Sequence, residues 1–462
     1  MTIELPAIRD LVDGEWGDPS VDLGVALEDP ATGVAVARAV ATAPERVDRA
    51  LAVADAAAGR IDADLLERIA DALDAQVDRL AVLDAFATGV PLAQTRPLGV
   101  IVAGSFRLAA AQLRSGALRA DRDGVEVHRL PLGPALALVP WNAPAPMAAH
   151  KVANALAAGC PVILKVSELA PYSAVVLAEV IAQHVPPGMF QLVHGDAATG
   201  AHLVGDPRIK AVSFTGGVPG GQAVATASAP LFRPCQLELG GNNPLVVLPD
   251  ADLDTAARAA AELLTTLNGQ WCRALGRLIL PRSRAPELLE AIGKRLDALH
   301  AGPPLDEATE FGPLVHSRHV RAVSAAVADR PHRAYGLLPG AGNYVAPVLL
   351  DGDLTDEIFG PVAGVTTYER PEDIVALANA VPYGLEAYVC GTDTEFALAV
   401  ARRIRAGEVK VNGSSIMSLH LMTPRPAWGV SGLGEEGTAE TLRFFTGARV
   451  VGVEGRFALH TS

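Results

Sequence analysis

One of the four cysteines stands where a nucleophile would: Cys272, in Asn268-Gly269-Gln270-Trp271-Cys272. A thiolate adds to a carbonyl carbon and holds the product as a thioester, dividing one difficult step into two. A cysteine packed in an apolar stripe is the commoner case. Cys272 instead follows a Gly-Gln break at the end of a helix, and Arg273 beside it brings a positive charge that favours the thiolate. Cys160, Cys235 and Cys390 sit beside apolar strand residues and are assigned to the core.

Two further side chains have matching chemistry. Glu238 lies between leucines and is followed by Gly240 and Gly241. Burial there would raise its pKa toward the range of a general base; the alternative is an edge-strand glutamate facing water. Asn142, in Pro140-Trp141-Asn142, follows a strand-like run, and ligands of open α/β sheets bind beyond the carboxyl ends of strands. Its amide can donate to a developing oxyanion, or it can satisfy turn backbone. Lys165-Val166-Ser167-Glu168 also follows a strand, where Lys165 and Glu168 can take ribose hydroxyls. Phe214-Thr215-Gly216-Gly217 leads through Pro219 to Gly221 and a helix, a start whose amides can approach a pyrophosphate, although it is not the GxGxxG fingerprint.

The elements that must position these residues alternate. Strand-like runs at 135–139, 162–165, 190–194 and 209–214 are separated by helical stretches, including 147–158 and 173–184. A second series follows Gly240, with runs at 245–248, 278–280, 362–367, 387–390 and 409–411. This rhythm predicts an α/β fold of two lobes, each with a parallel sheet. Earlier, Val47, Ala50, Leu51 and Ala54 have helical spacing, as do Leu65, Ile69 and Leu73. Runs at 124–130 and 448–453 alternate like edge strands that invite pairing with another subunit.

Composition sets the outer limits. With 462 residues, 50% apolar and 19% charged, the chain can bury more than one core. A formal charge of -14 argues against nucleic acid as a partner. The cysteines lack CxxC spacing, so no zinc knuckle or disulfide framework is expected. His316 and His319 have helical spacing without an evident third ligand and read as a solvated surface pair, so no metal is expected. Charges at Glu4, Arg9 and Asp10 argue against a signal peptide, and no run is long enough for a membrane span. A cytoplasmic location is the expectation.

In order and near-family spacing, the motifs resemble the aldehyde dehydrogenase superfamily over nearly the whole chain. They are Val12-Asp13-Gly14-Glu15-Trp16, Asp29-Pro30-Ala31-Thr32-Gly33, Pro140-Trp141-Asn142, Lys165-x-Ser167-Glu168, Phe214-Thr215-Gly216, Glu238-Leu239-Gly240-Gly241, Gly269-Gln270-x-Cys272, Glu357-Ile358-Phe359-Gly360-Pro361 and Ser431-Gly432-x-Gly434. The resemblance implies that Cys272 is the nucleophile and that Glu238 activates the deacylating water. Asn142 and the Cys272 N–H would form the oxyanion hole. It also implies that Lys165 and Glu168 bind the adenine ribose, and that Glu357 and Phe359 position the nicotinamide ribose and ring. Pro140, Trp141, Ser167, Leu239 and Gly240 fall in its cofactor motifs. Glu168 would repel a 2'-phosphate, favouring NAD while leaving NADP open.

The chain departs from the family at Gly217, where a serine is usual, and at Asn242, where a lysine is common and where it resembles the benzaldehyde-type branch. Pro424-Arg425-Pro426-Ala427-Trp428 replaces a Pro-Phe-Gly-Gly segment. Trp271, Met417, Met422 and Trp428 are candidates for an apolar substrate wall, with core packing the equal alternative. Arg273, Arg277 and Arg425 are candidates for an anionic group, with surface or structural ion pairs the alternative. An aromatic or apolar aldehyde is expected. The predicted organisation is a dinucleotide-binding domain (1–110 and 132–239), a catalytic domain (240–430) and a small β oligomerisation element (111–131 and 431–462), in a homodimer or homotetramer. Two rivals are a coenzyme A-acylating enzyme, which would generally lack Glu238, and a silent binding protein of the same fold.

Overall fold

The computed structural model describes residues 3–57, 59 and 61–454. In the first lobe, five parallel strands lie in the spatial order Phe190–Val193, Val162–Val166, Ala135–Val139, Ala211–Thr215, Cys235–Glu238. The first three are buried throughout, so their sequences are unbroken apolar runs rather than alternating ones. Side chains alternate between two cores. Ala135, Ala137 and Val139 pack with helices Pro144–Ala157 and Tyr172–Ala182. Leu136 and Leu138 pack with Pro44–Ala56 and Val218–Ser228. Val47, Ala50, Leu51 and Ala54 are all buried, as their spacing requires, whereas in the next helix Leu66 rather than Leu65 is buried with Ile69 and Leu73.

From Ala135–Val139 the chain adds strands in one direction, then returns to place Ala211–Thr215 on the other side. The crevice where strand order reverses is where such sheets bind ligands. Pro140-Trp141-Asn142 leaves one of these strands and Gly216-Gly217 the other.

The second lobe has a seven-stranded sheet in the order His332–Ala334, Val348–Asp351, Val362–Tyr368, Leu275–Pro281, Asn243–Val247, Glu386–Cys390, Glu408–Val411. Only the His332–Ala334 pairing is antiparallel among these. Helices Leu253–Thr265 and Ala285–Asp297 cover one face and Thr394–Ala401 the other.

Arg119–Arg122, Val125–Pro131 and Thr446–Val451 form a separate three-stranded antiparallel sheet. Before reaching it, the C-terminal segment adds Gly432–Leu433 to the edge of the first sheet, opposite Leu237 and Glu238. Ser431 accepts from the Leu239 N–H at 2.8 Å and its hydroxyl from the Gly384 N–H at 3.0 Å, so this return fastens the two lobes beside Glu238. Two elements had no clear signal in the sequence: the hairpin Val21–Asp29/Val34–Ala41 and the long helix Leu92–Arg114, which contains Pro97. The hairpin strands are largely exposed, so apolar alternation is weak. Pro97 masks the helical pattern.

Candidate active site

Cys272 is placed by a strained turn. Leu267, Asn268 and Gly269 have φ of 50°, 57° and 73°, a left-handed run that costs about 1–3 kcal/mol at each non-glycine position. Side chains hold it from both ends. The buried Asn268 donates to the carbonyls of Gly89 and Pro313, both at 2.9 Å, and accepts from the Gly312 N–H at 2.8 Å. Gln270 donates to Thr88 O at 3.2 Å and accepts from the Val315 N–H at 2.9 Å. At Gly269 a Cβ would come within 2.3 Å of Pro361 N, so only glycine fits. Asn243 then anchors the Cys272 carbonyl at 3.0 Å.

The Cys272 side chain, part-buried, shares a cavity of about 400 Å³ with Glu238 and Asn142. Burial and the neighbouring Glu238 carboxyl push its thiol well above the ordinary value, and Arg273 only partly opposes them. The expectation that Arg273 tips Cys272 to thiolate is therefore corrected. Arg273 is engaged by Glu386 and by Glu408 at 3.5 Å, beside a Lys410–Glu386 pair at 2.7 Å, and this buried quartet has no net charge. Lys410 and Glu408 in turn hold Ser415 O at 2.8 Å and the Leu419 N–H at 2.6 Å, fixing the loop that carries Ile416 into the cavity.

Glu238 is buried. Burial and the nearby Glu436 raise its pKa, while Arg273, Cys272 and Lys151 act the other way. Its Oε2 has no hydrogen-bond partner among the described residues, and the side chain interacts with Cys272. Behind it, Lys151 Nζ lies 2.7 Å from Ser213 Oγ and 2.8 Å from Glu436 Oε1. Burial resists ionisation of Glu436, but Lys151, His150 and Arg425 outweigh it and bring the carboxyl down to about 2. Lys151 and Glu436 were missed in the sequence; the signal was a lysine among the alanines, valine and leucine of a buried helix. Asn142 donates to Gln270 O at 2.9 Å, which aims its amide toward the Cys272 turn. Among the described residues no backbone acceptor takes the Cys272 N–H.

Trp141, Phe359 and His319 form an aromatic cluster on the cavity wall, with ring centroids 5.3–6.1 Å apart. The histidine pair is not on the solvated surface: His316 is buried and caps Arg318 N, and His319 lines the cavity. Burial lowers the His319 pKa, and its Nε2 has no partner among the described residues. Glu357 accepts from the Gly241 N–H at 3.0 Å and is pushed up to about 7 by burial. A Cβ on Gly240 would lie 1.9 Å from its carboxyl.

Pro140, Thr215, Gly216 and Gly217 also line this cavity. The helix Val218–Ser228 begins at Gly217 without a side-chain cap, leaving its first N–H groups to a ligand. Phe214 lies under the turn, against Gly216, and Gly221 lets the helix approach Leu239. These two, with buried Leu239, support the crevice without lining its main cavity. Lys165, Ser167 and Glu168 end the adjacent strand and also lie outside the cavity. Burial lowers the Lys165 pKa against the pull of Glu168 and Asp196. An uncapped helix start, close-fitting glycines and an imidazole nitrogen without a partner fit a dinucleotide laid across the switch point.

Trp271, Leu98, Ile101, Met147 and Ile416 supply the apolar part of the cavity lining, and Arg425 lines it opposite Glu436 in the strand register. Met417, Met422 and Trp428 do not line the cavity; they are exposed on the outer surface. Arg277 is buried against Asp353 at 2.9 Å and is structural. Asn242 is buried on Leu354 O at 2.6 Å, outside this cavity, and offers no support for an aromatic substrate. Cys235 is only half-buried, whereas Cys160 and Cys390 are in the core.

The aldehyde dehydrogenase family model matches residues 17–451. A non-phosphorylating aspartate-semialdehyde dehydrogenase from Halomonas elongata is 34% identical, over 92% of this chain and 91% of that protein. A geranial dehydrogenase from Castellaniella defragrans is 35% identical over 81% and 82% of the two chains. Among solved structures, a variant of aldehyde dehydrogenase C from Pseudomonas syringae in complex with NAD+ and octanal superposes with a TM-score of 0.90 at 29% identity, covering 98% of each chain. The chain belongs to the aldehyde dehydrogenase family.

Proposed function

We propose that this protein oxidises an aldehyde to its carboxylic acid through a thioester on Cys272 that is discharged to water. The observation that carries this is a raised-pKa thiol and a raised-pKa buried carboxyl sharing one cavity with an amide donor. Glu238 takes the thiol proton as Cys272 sulfur bonds to the aldehyde carbon. Asn142 Nδ2 and the Cys272 N–H face the oxygen on which charge develops, and such donors are worth about a hundred- to a thousandfold each in rate. A nicotinamide dinucleotide, when bound, supplies the hydride acceptor. Its ring would be held by Glu357, Phe359 and Trp141, its pyrophosphate by the Gly216-Gly217 helix start, and its adenine ribose by Lys165 and Glu168. Once the carbon is at the thioester level and Glu238 has passed the thiol proton to solvent, the carboxylate removes a proton from water, hydroxide adds to the thioester carbon, and Cys272 leaves as thiolate.

Solved relatives in complex with NAD+ and the acid at Glu168 support NAD, with NADP also admitted. Glu238 favours water over coenzyme A as acyl acceptor. The apolar wall supports an aldehyde with an apolar or aromatic body; the names of the relatives, from geranial to aspartate semialdehyde, do not choose one. We infer a homodimer or homotetramer from the three-stranded sheet and the exposed apolar side chains beside it. No helix among the described residues is long and apolar enough to cross a membrane; a cytoplasmic location is inferred from the four cysteines, all of them free. The test is Cys272→Ala: NADH formation with any aldehyde should disappear while calorimetric NAD binding persists. Retained turnover refutes the proposal.

A further inference from the structure

We propose that the preferred aldehyde carries a carboxylate at the end remote from its carbonyl, and that Arg425 binds it. This rests on the reading of Cys272 and Glu238 above and specifies the class of substrate that reaches them.

Arg425 begins the short strand Arg425–Pro426, whose register sets it opposite Glu436, and it lines the cavity that holds Cys272. The neighbouring cations, Arg273 in the lining and the fully buried Lys151, have fixed partners. Arg273 is engaged by Glu386 and Glu408, and Lys151 by Glu436 at 2.8 Å. Among the described residues no carboxylate lies within 4.0 Å of the Arg425 guanidinium, because Glu436 directs its contact to Lys151.

Charge counting gives the same result. Lys151 is fully buried outside the cavity lining and its charge is met by Glu436, which leaves Arg425 on the wall without a counter-charge of its own. Burial lowers the His150 pKa to about 4, with Arg425 acting in the same direction, so this neighbour adds no charge near pH 7. Arg425 is therefore a cation lining the cavity without an ion-pair partner among the described residues. A half-buried guanidinium of this kind is stabilised by an anion, and its planar fork matches a carboxylate with two parallel hydrogen bonds.

The apolar part of the lining bears no charge. Leu98, Ile101, Met147 and Ile416 are suited to the stem of the molecule. Trp141 and Phe359 pack on each other and Glu357 accepts from the Gly241 N–H, so the side chains assigned to the nicotinamide are engaged without Arg425. An apolar or aromatic stem with an aldehyde at one end and a carboxylate at the other satisfies both parts of the lining.

Matched pairs test this: 4-carboxybenzaldehyde against 4-methylbenzaldehyde, and 4-oxobutanoate against butanal, each assayed by NADH absorbance with the full-length protein. In at least one pair kcat/KM should favour the carboxylated member by about tenfold or more. Arg425→Leu should reduce that preference at least tenfold, chiefly through KM, and Arg425→Lys should restore part of it. An equal loss for both members would make Arg425 a support for Glu436 and overturn the proposal. So would an unaltered preference, no preference in the parent protein, or a selective loss of NAD affinity. NADH formation with neutral aldehydes alone would reject the carboxylate and leave the oxidation reading standing. No NADH from any aldehyde would reject both.

Discussion

Burial and negative neighbours raise the pKa of both Cys272 and Glu238, so neither charged form is favoured over the other by its surroundings alone. One proton moving from sulfur to carboxylate therefore keeps the charge of the pair constant, which suits a cavity where a second charge would be costly. Because the Glu238 pKa is raised above its ordinary 4.5, the ascending limb of kcat/KM should lie above that pH. Glu238→Gln should lose that limb and accumulate an acyl adduct on Cys272, visible by intact mass; full activity without an adduct would remove the base role. The residue types at 142, 238 and 272 were legible because they interrupt apolar runs at strand ends and at a helix break. The fate of Arg273 was not, since its partners Glu386 and Glu408 are more than a hundred residues away and only the second sheet brings them together.

At the scale of elements, the nucleophile turn depends on side chains that take no part in chemistry. Asn268→Ala would leave two carbonyls and one N–H unsatisfied in the core. That should destabilise the fold by roughly 3 kcal/mol and slow turnover, measured by denaturant midpoint and kcat. A change under about 0.5 kcal/mol would show that the strained turn holds itself. The helix Pro144–Ala157, which follows Asn142, starts against Asp84, whose carboxyl accepts from the Ala145 N–H at 3.2 Å. Burial pushes Asp84 up to about 7 from an ordinary 3.8. The folded protein thus keeps a proton that the unfolded chain releases. Stability from this group is fully present below about pH 4 and falls by about 1.4 kcal/mol per pH unit until about pH 7. Comparing unfolding of the parent and Asp84→Asn at pH 5 and pH 7 checks this: the variant should lose less stability over that interval, and parallel losses would contradict the assignment.

For the whole molecule, the telling feature is apolar surface. Met417, Leu419, Leu421, Met422 and Trp428 are exposed along one segment, and Val450 and Val451 along the last strand of the three-stranded sheet. Patches of this kind usually mark interfaces, and a sheet with a free edge is a ready template for one. Light scattering should report a dimer or tetramer, and Val450→Glu should shift it toward smaller species with unchanged circular dichroism. A monomeric parent protein would remove the inference. The tryptophan and methionines that looked like a substrate wall belong to this surface instead, a distinction that local spacing does not encode.

What the sequence determined by itself was the set of reactive groups and the alternating strands and helices that carry them. Both are local: an apolar run, a glycine break, or a capping aspartate acts within a few residues. The parallel sheets, their switch point and the order of the motifs along the chain follow from that pattern with few topological alternatives. What only the tertiary structure decided was which charges are already paired. Arg273, Arg277 and Arg425 read alike in the sequence. Folding couples the first to Glu386 and Glu408 and the second to Asp353, and leaves the third facing the cavity. Ion pairing is set by distance in space, and the partners here come from strands far apart in the chain, so no local pattern could have separated them.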